Sequence, residues 1–423
     1  MLQRNELVNM ASQLAIKLIS VPYSLVMIGL FVRALPPDSH FLLLSAQNYI
    51  AIVSLAQLGL AGFLLRRISH VWAESRKLQD LPDIKGAFWA SVGLISVTAL
   101  GTIIAGMAGK LDLRMIPIIL LSLAGIATIF GDYVRIAKSE ISTLNLILLG
   151  FYALGAIVGI AYAYAFDVNL TFCLLIAFGP PFLATLISFS LLLRDGDFRL
   201  MVRFSGAKQI WAPLRGAMPI LMTSAGFVAI LNVPLANALI PQFPAIGSDA
   251  LACLRLFSSA LNVFFFALQP LIPIILAERY RAKNNRFETF SVALVAGLSA
   301  SAALAGVAFY LISPLFIDIW LGISVSSSVA RDWGLAAFLW LTITVLAFFC
   351  QTTSRPFLAA VMLLTAAGSA IVFGVVNLTS TAGQSLAMGI LVGIVVGLGA
   401  TALAIADPRR DVGREANPMS MTE

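Results

Sequence analysis

Residues 250–277 read ALACLRLFSSALNVFFFALQPLIPIILA, and this stretch decides the fold. It is long enough to cross a bilayer, because about 20 apolar residues at 1.5 Å each span a hydrocarbon core of about 30 Å. It nevertheless contains Arg255, and a charge inside a membrane span costs at least about 2.5 kcal/mol unless it faces a protein interior or a wet cavity. Pro270 and Pro273 are predicted to interrupt its helical hydrogen bonds. The stretch therefore predicts a membrane helix that lines a path for a polar substrate. The alternative is that Arg255 extends to the nearer membrane surface.

The composition of the whole chain agrees with a membrane location. Of its 423 residues, 60% are hydrophobic and only 11% are charged. Soluble proteins contain about 25% charged residues, so we predict an all-α polytopic membrane protein that is not an enzyme and has no soluble catalytic domain. The three cysteines lie in apolar runs and the two histidines lie far apart. We therefore expect buried thiols, no disulfide, no metal site and no cofactor.

The apolar residues form about 12 predicted transmembrane helices, and we read the first as a retained helix. They cover residues 10–34, 41–65, 86–109, 115–136, 143–166, 171–193, 216–239, 250–277, 289–313, 332–352, 357–378 and 385–406. A basic segment at 194–215 separates six spans from six. This predicts two parallel six-helix bundles, residues 1–205 and 206–423, around a central cavity. The apolar outer segment at 314–331 is expected to lie along the membrane interface.

The positive charges predict the orientation. Of the 27 Lys and Arg residues, 21 lie on the side of the N-terminus, 4 lie on the opposite side and 2 lie within spans. Basic residues concentrate on the cytoplasmic side of membrane proteins. Both termini are therefore predicted to be cytoplasmic, and the net charge of +7 reflects topology and not nucleic-acid binding.

The two cations within spans, Lys17 and Arg255, are candidate binding residues for an anionic substrate. For both, the alternative is that the side chain extends to the membrane surface. Asp132 is a candidate for ion coupling, although a local pair with Arg135 is the favoured interpretation. Uncharged polar residues in the spans either contact a hydroxyl-rich sugar or form hydrogen bonds between helices; these candidates are Asn48, Gln57, Asn262 and Gln269.

Gly389, Gly393 and Gly397 recur every four residues in the last span. Such a stripe of small residues favours close helix packing. The sequence contains neither a phosphate-binding loop with the Gly-x-x-x-x-Gly-Lys-Ser/Thr pattern nor a recognisable Ser-His-Asp set.

Three segments resemble the Wzx-type polysaccharide-biosynthesis flippases. They are LAQLGLAGFLLRRIS at 55–69, FALQPLIPIILAERY at 266–280 and PLFIDIWLG at 314–322. The first is similar to the "DLG…R" end of that family's second helix, with Gln57 where the family often has Asp. The second is similar to its eighth-helix ending with a "PxxP" step. The usual "LG…FG" signature after the first helix is absent, and LPPDSHF stands there.

This resemblance implies membership of the multidrug/oligosaccharidyl-lipid/polysaccharide exporter superfamily. It implies alternating access that moves a polyprenyl-diphosphate-linked oligosaccharide from the inner to the outer leaflet of a bacterial cytoplasmic (inner) membrane. The implied partners are that substrate and the lipid bilayer, and other polysaccharide-assembly proteins are further candidates. Related flippases use basic residues on the first and eighth helices, where Lys17 and Arg255 stand here.

Two other functions compete with this hypothesis. A multidrug or cation antiporter of the same fold would need membrane-embedded carboxylates, and the first and seventh spans contain none. A membrane-embedded glycosyltransferase or polymerase would need catalytic groups on a sizeable external loop. The outer loops are short, which disfavours it.

Overall fold

The computed structural model describes residues 4–54, 82–138, 140–203, 211–238, 240–268, 286–352 and 356–406, together with residues 60, 64, 68 and 71. Within these ranges the chain is helical and contains no β-strand, which confirms the predicted all-α class. We number the α-helices α1 to α14 in chain order.

The N-terminal half contributes eight helices to the described ranges. They are α1 (Arg4–Ala34), α2 (His40–Ser54), α3 (Pro82–Met107), α4 (Ile116–Ala137), α5 (Ile141–Ala165), α6 (Leu170–Phe178), α7 (Pro180–Leu192) and the short α8 (Gly196–Val202). The C-terminal half contributes six. They are α9 (Trp211–Asn232), α10 (Ser248–Leu268), α11 (Arg286–Leu321), α12 (Ser327–Thr352), α13 (Pro356–Val375) and α14 (Ala382–Ala406).

Each of the twelve predicted spans overlaps a described helix or helix pair, although most of residues 55–65 in the second span and all of residues 269–277 in the eighth lie outside the described residues. Seven of the helices are long and apolar enough to cross a membrane by themselves, and α6 with α7 makes an eighth if the bent pair is one span. The apolar window of α5 is only 11% buried within the protein. Exposed leucine and isoleucine side chains on that helix, such as Leu146 and Ile157, therefore face lipid. The chain is a multi-pass membrane protein.

The helices pack mainly within their own half of the chain. In the N-terminal half, α1 packs on α5, and α4 packs on α3 and α7. In the C-terminal half, α13 packs on α9 and α14, and α12 packs on α11 and α14. Fewer contacts join the halves, and they involve α1 with α11, α2 with α9 and α10, and α3 with α9. This is a two-lobe architecture, and the division at 205/206 stays a prediction.

The glycine stripe of α14 packs as predicted. A side chain added at Gly393 would place its Cβ 2.7 Å from Ala366 Cβ and 2.7 Å from the Met362 carbonyl oxygen of α13. The absence of a side chain thus allows the two backbones to approach closely. Cys173, Cys253 and Cys350 are buried, which confirms the burial predicted for the cysteines.

The sixth span is broken and is not one straight helix. The axes of α6 and α7 differ by 59°, and the bend lies at Gly179, directly before Pro180 and Pro181. Neither proline has a backbone N–H, so the chain cannot continue the helical hydrogen bonds through this point.

The ninth span is longer than predicted. We expected it to end at residue 313, with an interfacial loop after it, but α11 continues as one helix to Leu321 with Pro314 inside it. It ends at Gly322, which has a φ of +70°, a left-handed conformation that glycine adopts readily at helix ends. The interfacial-loop prediction was wrong, because Pro314 is accommodated and the Gly322 stop decides the end of the helix.

Candidate functional site

Among the described residues, four side-chain hydrogen bonds connect the two halves. We call the side of the membrane at which α1 ends, and α2 and α10 begin, the outer side, following the orientation predicted from charge. All four bonds lie in the half of the molecule nearest that side. They join Arg255 to Ser24, Asn48 to Leu231, Trp320 to Leu25 and Arg33 to Ile319. These four hydrogen bonds thus join the halves toward their outer ends, an arrangement that we call outer-closed.

We call the region where these four hydrogen bonds join the two halves the seam. Arg255 is its central residue. It lies in the second turn of α10, about 10 Å from the start of that helix at 1.5 Å per residue. Its side chain is 2% exposed, so it does not extend to the membrane surface. Nη2 donates to Ser24 Oγ of α1 at 2.6 Å, and the guanidinium carbon lies 5.1 Å from the centre of the Phe178 ring of α6.

The charge of Arg255 is incompletely compensated. Among the described residues its Nε and Nη1 have no hydrogen-bond acceptor, and no carboxylate forms an ion pair with it. A cation over a desolvated aromatic face gains about 2 kcal/mol, whereas taking a charged group out of water costs several kcal/mol. The site can therefore accept an anion that is brought by a ligand.

The bend between α6 and α7 positions the Phe178 ring. Because Pro180 has no N–H, the Ile176 carbonyl loses its helical donor. The Tyr23 hydroxyl of α1 replaces that donor, at 2.6 Å from the Ile176 oxygen. Tyr23 thus fixes the end of α6, and its neighbour Ser24 contacts Arg255.

Asn48 connects α2 to the other half. It is 3% exposed, and its Nδ2 donates to the Leu231 carbonyl in the last turn of α9 at 3.1 Å. Carbonyls in the last turn of a helix have no partner within that helix. The predicted role of Asn48 in hydrogen bonding between helices is therefore seen, and its contact with a substrate stays a prediction.

The residues that close the outer end of the seam were missed by the sequence reasoning. Trp320 Nε1 donates to the Leu25 carbonyl at 2.6 Å, and Arg33 Nη2 donates to the Ile319 carbonyl. Gly29 allows this approach, since a Cβ there would lie 2.6 Å from Cδ1 and Nε1 of the indole. The signal that was available is the helix stop at Gly322, which places Trp320 in the last turn of α11.

Asp132 belongs to a separate polar cluster near the inner side. It is 5% exposed, forms a hydrogen bond with Ser188 of α7, and leaves its Oδ1 without a partner among the described residues. Arg135 Nε donates to the same Ser188 hydroxyl at 2.8 Å, and Arg135 Nη1 lies 3.7 Å from Glu140. The expected local pair is thus mediated by Ser188 and not formed as a direct ion pair.

The other predicted site residues are not described in full. Lys17 lies in α1 and Asn262 lies in α10, but their side chains fall outside the described part of the structure. Gln57 and Gln269 lie outside the described residues altogether. Within the described ranges, no group of three His, Cys, Asp or Glu residues is placed to hold a metal ion.

Solved structures show where this architecture occurs. The chain is similar to an inward-facing multidrug resistance MATE family transporter of the MOP superfamily, with a TM-score of 0.60, 14% identity, and coverage of 94% of this chain and 99% of that one. An outward-facing structure of such a transporter gives 0.58 at 13% identity over 95% and 96% of the two chains. A eukaryotic MATE transporter gives 0.55 at 14% identity over 94% and 96%. No family model and no curated protein sequence matches the chain. The likenesses show that the chain has the fold of these transporters.

Proposed function

We propose that this protein is a membrane transporter that works by alternating access between its two halves. Its fold occurs in solved transporters captured both inward-facing and outward-facing. The four described hydrogen bonds of the seam lie toward the outer side, and each joins one half to the other. Such contacts can break and form again while each half keeps its own packing.

For the substrate we propose a lipid-linked oligosaccharide with a polyprenyl diphosphate, carried from the inner to the outer leaflet for cell-surface polysaccharide synthesis. The observation that carries this proposal is the buried guanidinium of Arg255, which lies between the halves and has two nitrogens, Nε and Nη1, without a partner among the described residues. Diphosphate oxygens are strong acceptors for arginine, and the bond strengthens away from bulk water.

The proposed step exchanges the partners of Arg255. In the outer-closed arrangement the guanidinium is held by Ser24 and the Phe178 ring. When the halves separate at their outer ends, both contacts are lost and the charge needs another partner. A diphosphate at this depth supplies that partner, and water supplies it after the substrate has left.

Reconstitution tests the proposal. Proteoliposomes that contain a fluorescent polyprenyl-diphosphate oligosaccharide are treated with a membrane-impermeant reagent that modifies only the outer-leaflet sugar. We expect R255Q to lower the rate of exposure at least tenfold, because a neutral amide cannot balance a diphosphate. R255K keeps the positive charge but cannot form the bidentate hydrogen bonds of a guanidinium with a phosphate, so we expect an intermediate rate.

The matched control is R114Q. Arg114 lies on the same outer side but is exposed and paired with Asp112 at 2.8 Å, so the variant removes one positive charge without touching the seam. We expect R114Q to transport normally. A folded R255Q protein that transports at the rate of R114Q would contradict the proposal.

A multidrug antiporter is the second candidate. Those of the similar structures that are named for multidrug resistance favour it, together with the buried carboxylate of Asp132 and its unpartnered Oδ1. Proton-driven efflux of a cationic dye should then depend on Asp132, and D132N should abolish it. Dye efflux in vesicles without any lipid-linked sugar would favour this function over the flippase.

The membrane assignment extends to a proposed orientation. We propose a bacterial inner membrane with both termini in the cytoplasm. A cysteine introduced at the exposed Asp38, between α1 and α2, should then react with an impermeant thiol reagent in cells whose outer membrane is permeabilised. Protection of this cysteine until the inner membrane is lysed would reverse the orientation.

A further inference from the structure

A cleft of about 520 Å³ opens at the outer ends of α1, α5 and α11. Its lining includes Val26, Leu30 and Arg33 of α1, Tyr164 of α5, and Ile319 and Trp320 of α11. Its size lies within the range of ordinary ligand sites, which is about 300–1,000 Å³. The cleft is separate from Arg255, which is buried.

The position of the cleft is that of a lipid headgroup region. Arg33, Tyr164 and Trp320 lie in the last turns of three helices that end on the same side. Tyrosine and tryptophan are enriched at the boundary between membrane and water. The walls also present apolar side chains to the membrane, since Ile319 at this level is 65% exposed and Val26, about two turns deeper on α1, is 58% exposed.

The cation of the cleft has unused donors. Arg33 is exposed, and one of its five N–H groups bonds to the Ile319 carbonyl. Among the described residues no carboxylate forms an ion pair with it, and the nearby Asp318 is not part of the lining. A phosphate at the membrane surface is the natural acceptor for the remaining donors.

The cleft is also built from both halves of the protein. Its α1 and α5 walls belong to the N-terminal half, and its α11 wall belongs to the C-terminal half. The contacts of Trp320 with Leu25 and Gly29 hold these walls together. Separation of the halves at their outer ends would pull the walls apart, so a ligand of the cleft binds the outer-closed arrangement better than an open one.

We propose that this cleft binds an anionic phospholipid of the outer-side leaflet, with its phosphate on Arg33 and an acyl chain along the apolar walls, and that the bound lipid stabilises the outer-closed arrangement. A single cation near a membrane surface favours an anionic over a zwitterionic headgroup by about fivefold. When the lipid saturates the cleft, the ratio of outer-closed to open protein should rise by the ratio of the lipid's affinities for the two arrangements.

Trp320 reports on the occupant directly. The full-length protein is reconstituted in vesicles that contain brominated phosphatidylglycerol or brominated phosphatidylcholine, and the fluorescence lost in W320F is assigned to Trp320. We expect brominated phosphatidylglycerol to reach half-maximal quenching of that fluorescence at a membrane fraction about fivefold lower than brominated phosphatidylcholine requires. The preference should disappear in R33Q and persist in R114Q, whose arginine is already paired.

Equal quenching by the two lipids, or a preference that survives in R33Q, would overturn the proposal and leave the cleft as a groove filled by any lipid. These vesicles contain no polyprenyl substrate, so the result does not depend on the proposed transport.

A second measurement avoids substitution of Trp320. It records spin-label distances between cysteines at the exposed Asp167 and Ser324, one in each half. The outer-closed distance should gain population in phosphatidylglycerol for the wild type and R114Q but not for R33Q, and equal populations in both lipids would refute the stabilisation.

Discussion

Replacement of Gly29 by valine should open the outer end of the seam. The added Cβ would lie 2.6 Å from Cδ1 and Nε1 of Trp320 and 3.1 Å from its carbonyl oxygen. Carbon atoms in contact normally lie about 3.5–4.0 Å apart, so the valine overlaps the indole by about 1 Å before its methyl groups are counted. The indole has to leave its place, and its hydrogen bond to the Leu25 carbonyl goes with it.

The size of the shift toward open arrangements follows from two energetic costs of the G29V substitution. A lost hydrogen bond costs about 1 kcal/mol and overpacking costs about 1–3 kcal/mol. Both apply only while the halves are closed at the outer side. The equilibrium should therefore move by about 2–4 kcal/mol toward open arrangements, which is a factor of about 30 to 700.

Distances between spin labels at Asp167 and Ser324 measure this shift in lipid nanodiscs. The native cysteines are buried, so the labels report on the engineered positions. G101V is the matched control, because a Cβ at Gly101 of α3 would have no atom within 4 Å. We expect G29V to populate a longer distance and G101V to match the wild type. A folded G29V protein with the wild-type distance distribution would refute the closing role of Trp320.

Three further predictions concern stability. Y23F should lower the free energy of unfolding by about 1–2 kcal/mol, because the Ile176 carbonyl at the bend loses its donor; a thermal midpoint equal to that of the wild type would contradict this. G393L should destabilise the pair of α13 and α14 by about 1–3 kcal/mol or more, measured by chemical unfolding with the unpacked G101L as control, since Ala366 and Met362 leave no room. The hydrogen bond from Arg114 holds the pKa of Asp112 below its usual range, so the carboxylate stabilises the folded state above about pH 4 and this contribution is lost as the pH falls through the lowered value. The difference in thermal midpoint between wild type and D112N should accordingly be present at pH 7, and it should vanish once the pH is low enough to protonate Asp112 in the folded protein.

The sequence predicts the helices because apolar length is a local property. A run of about 20 apolar residues specifies a membrane helix whatever surrounds it, which is why each of the twelve predicted spans overlaps a described helix. The stripe at Gly393 is equally local, since a four-residue spacing places small residues on one side of a helix.

The seam could not be predicted in the same way. Arg255 is visible in the sequence as an unusual charge, but its partner Ser24 is 231 positions away and carries no signal of its own. The role of Trp320 depended on where α11 ends, and Pro314 suggested too early an end. The bend at Gly179 shows the same limit, since prolines are common in membrane helices and the length of the apolar run does not reveal a 59° corner.

The hydrogen bonds of Tyr23 and Ser24 determine which parts of the molecule can travel together. The hydroxyl of Tyr23 is bound to α6 of its own half, whereas the adjacent Ser24 is bound to α10 of the other half. The first bond lies within one half and the second joins the two halves, so the border between the two moving bodies runs along the side of α1 that carries Ser24. Any motion that frees Arg255 should carry α1 and α6 away as a single piece, with the Phe178 ring still fixed to it.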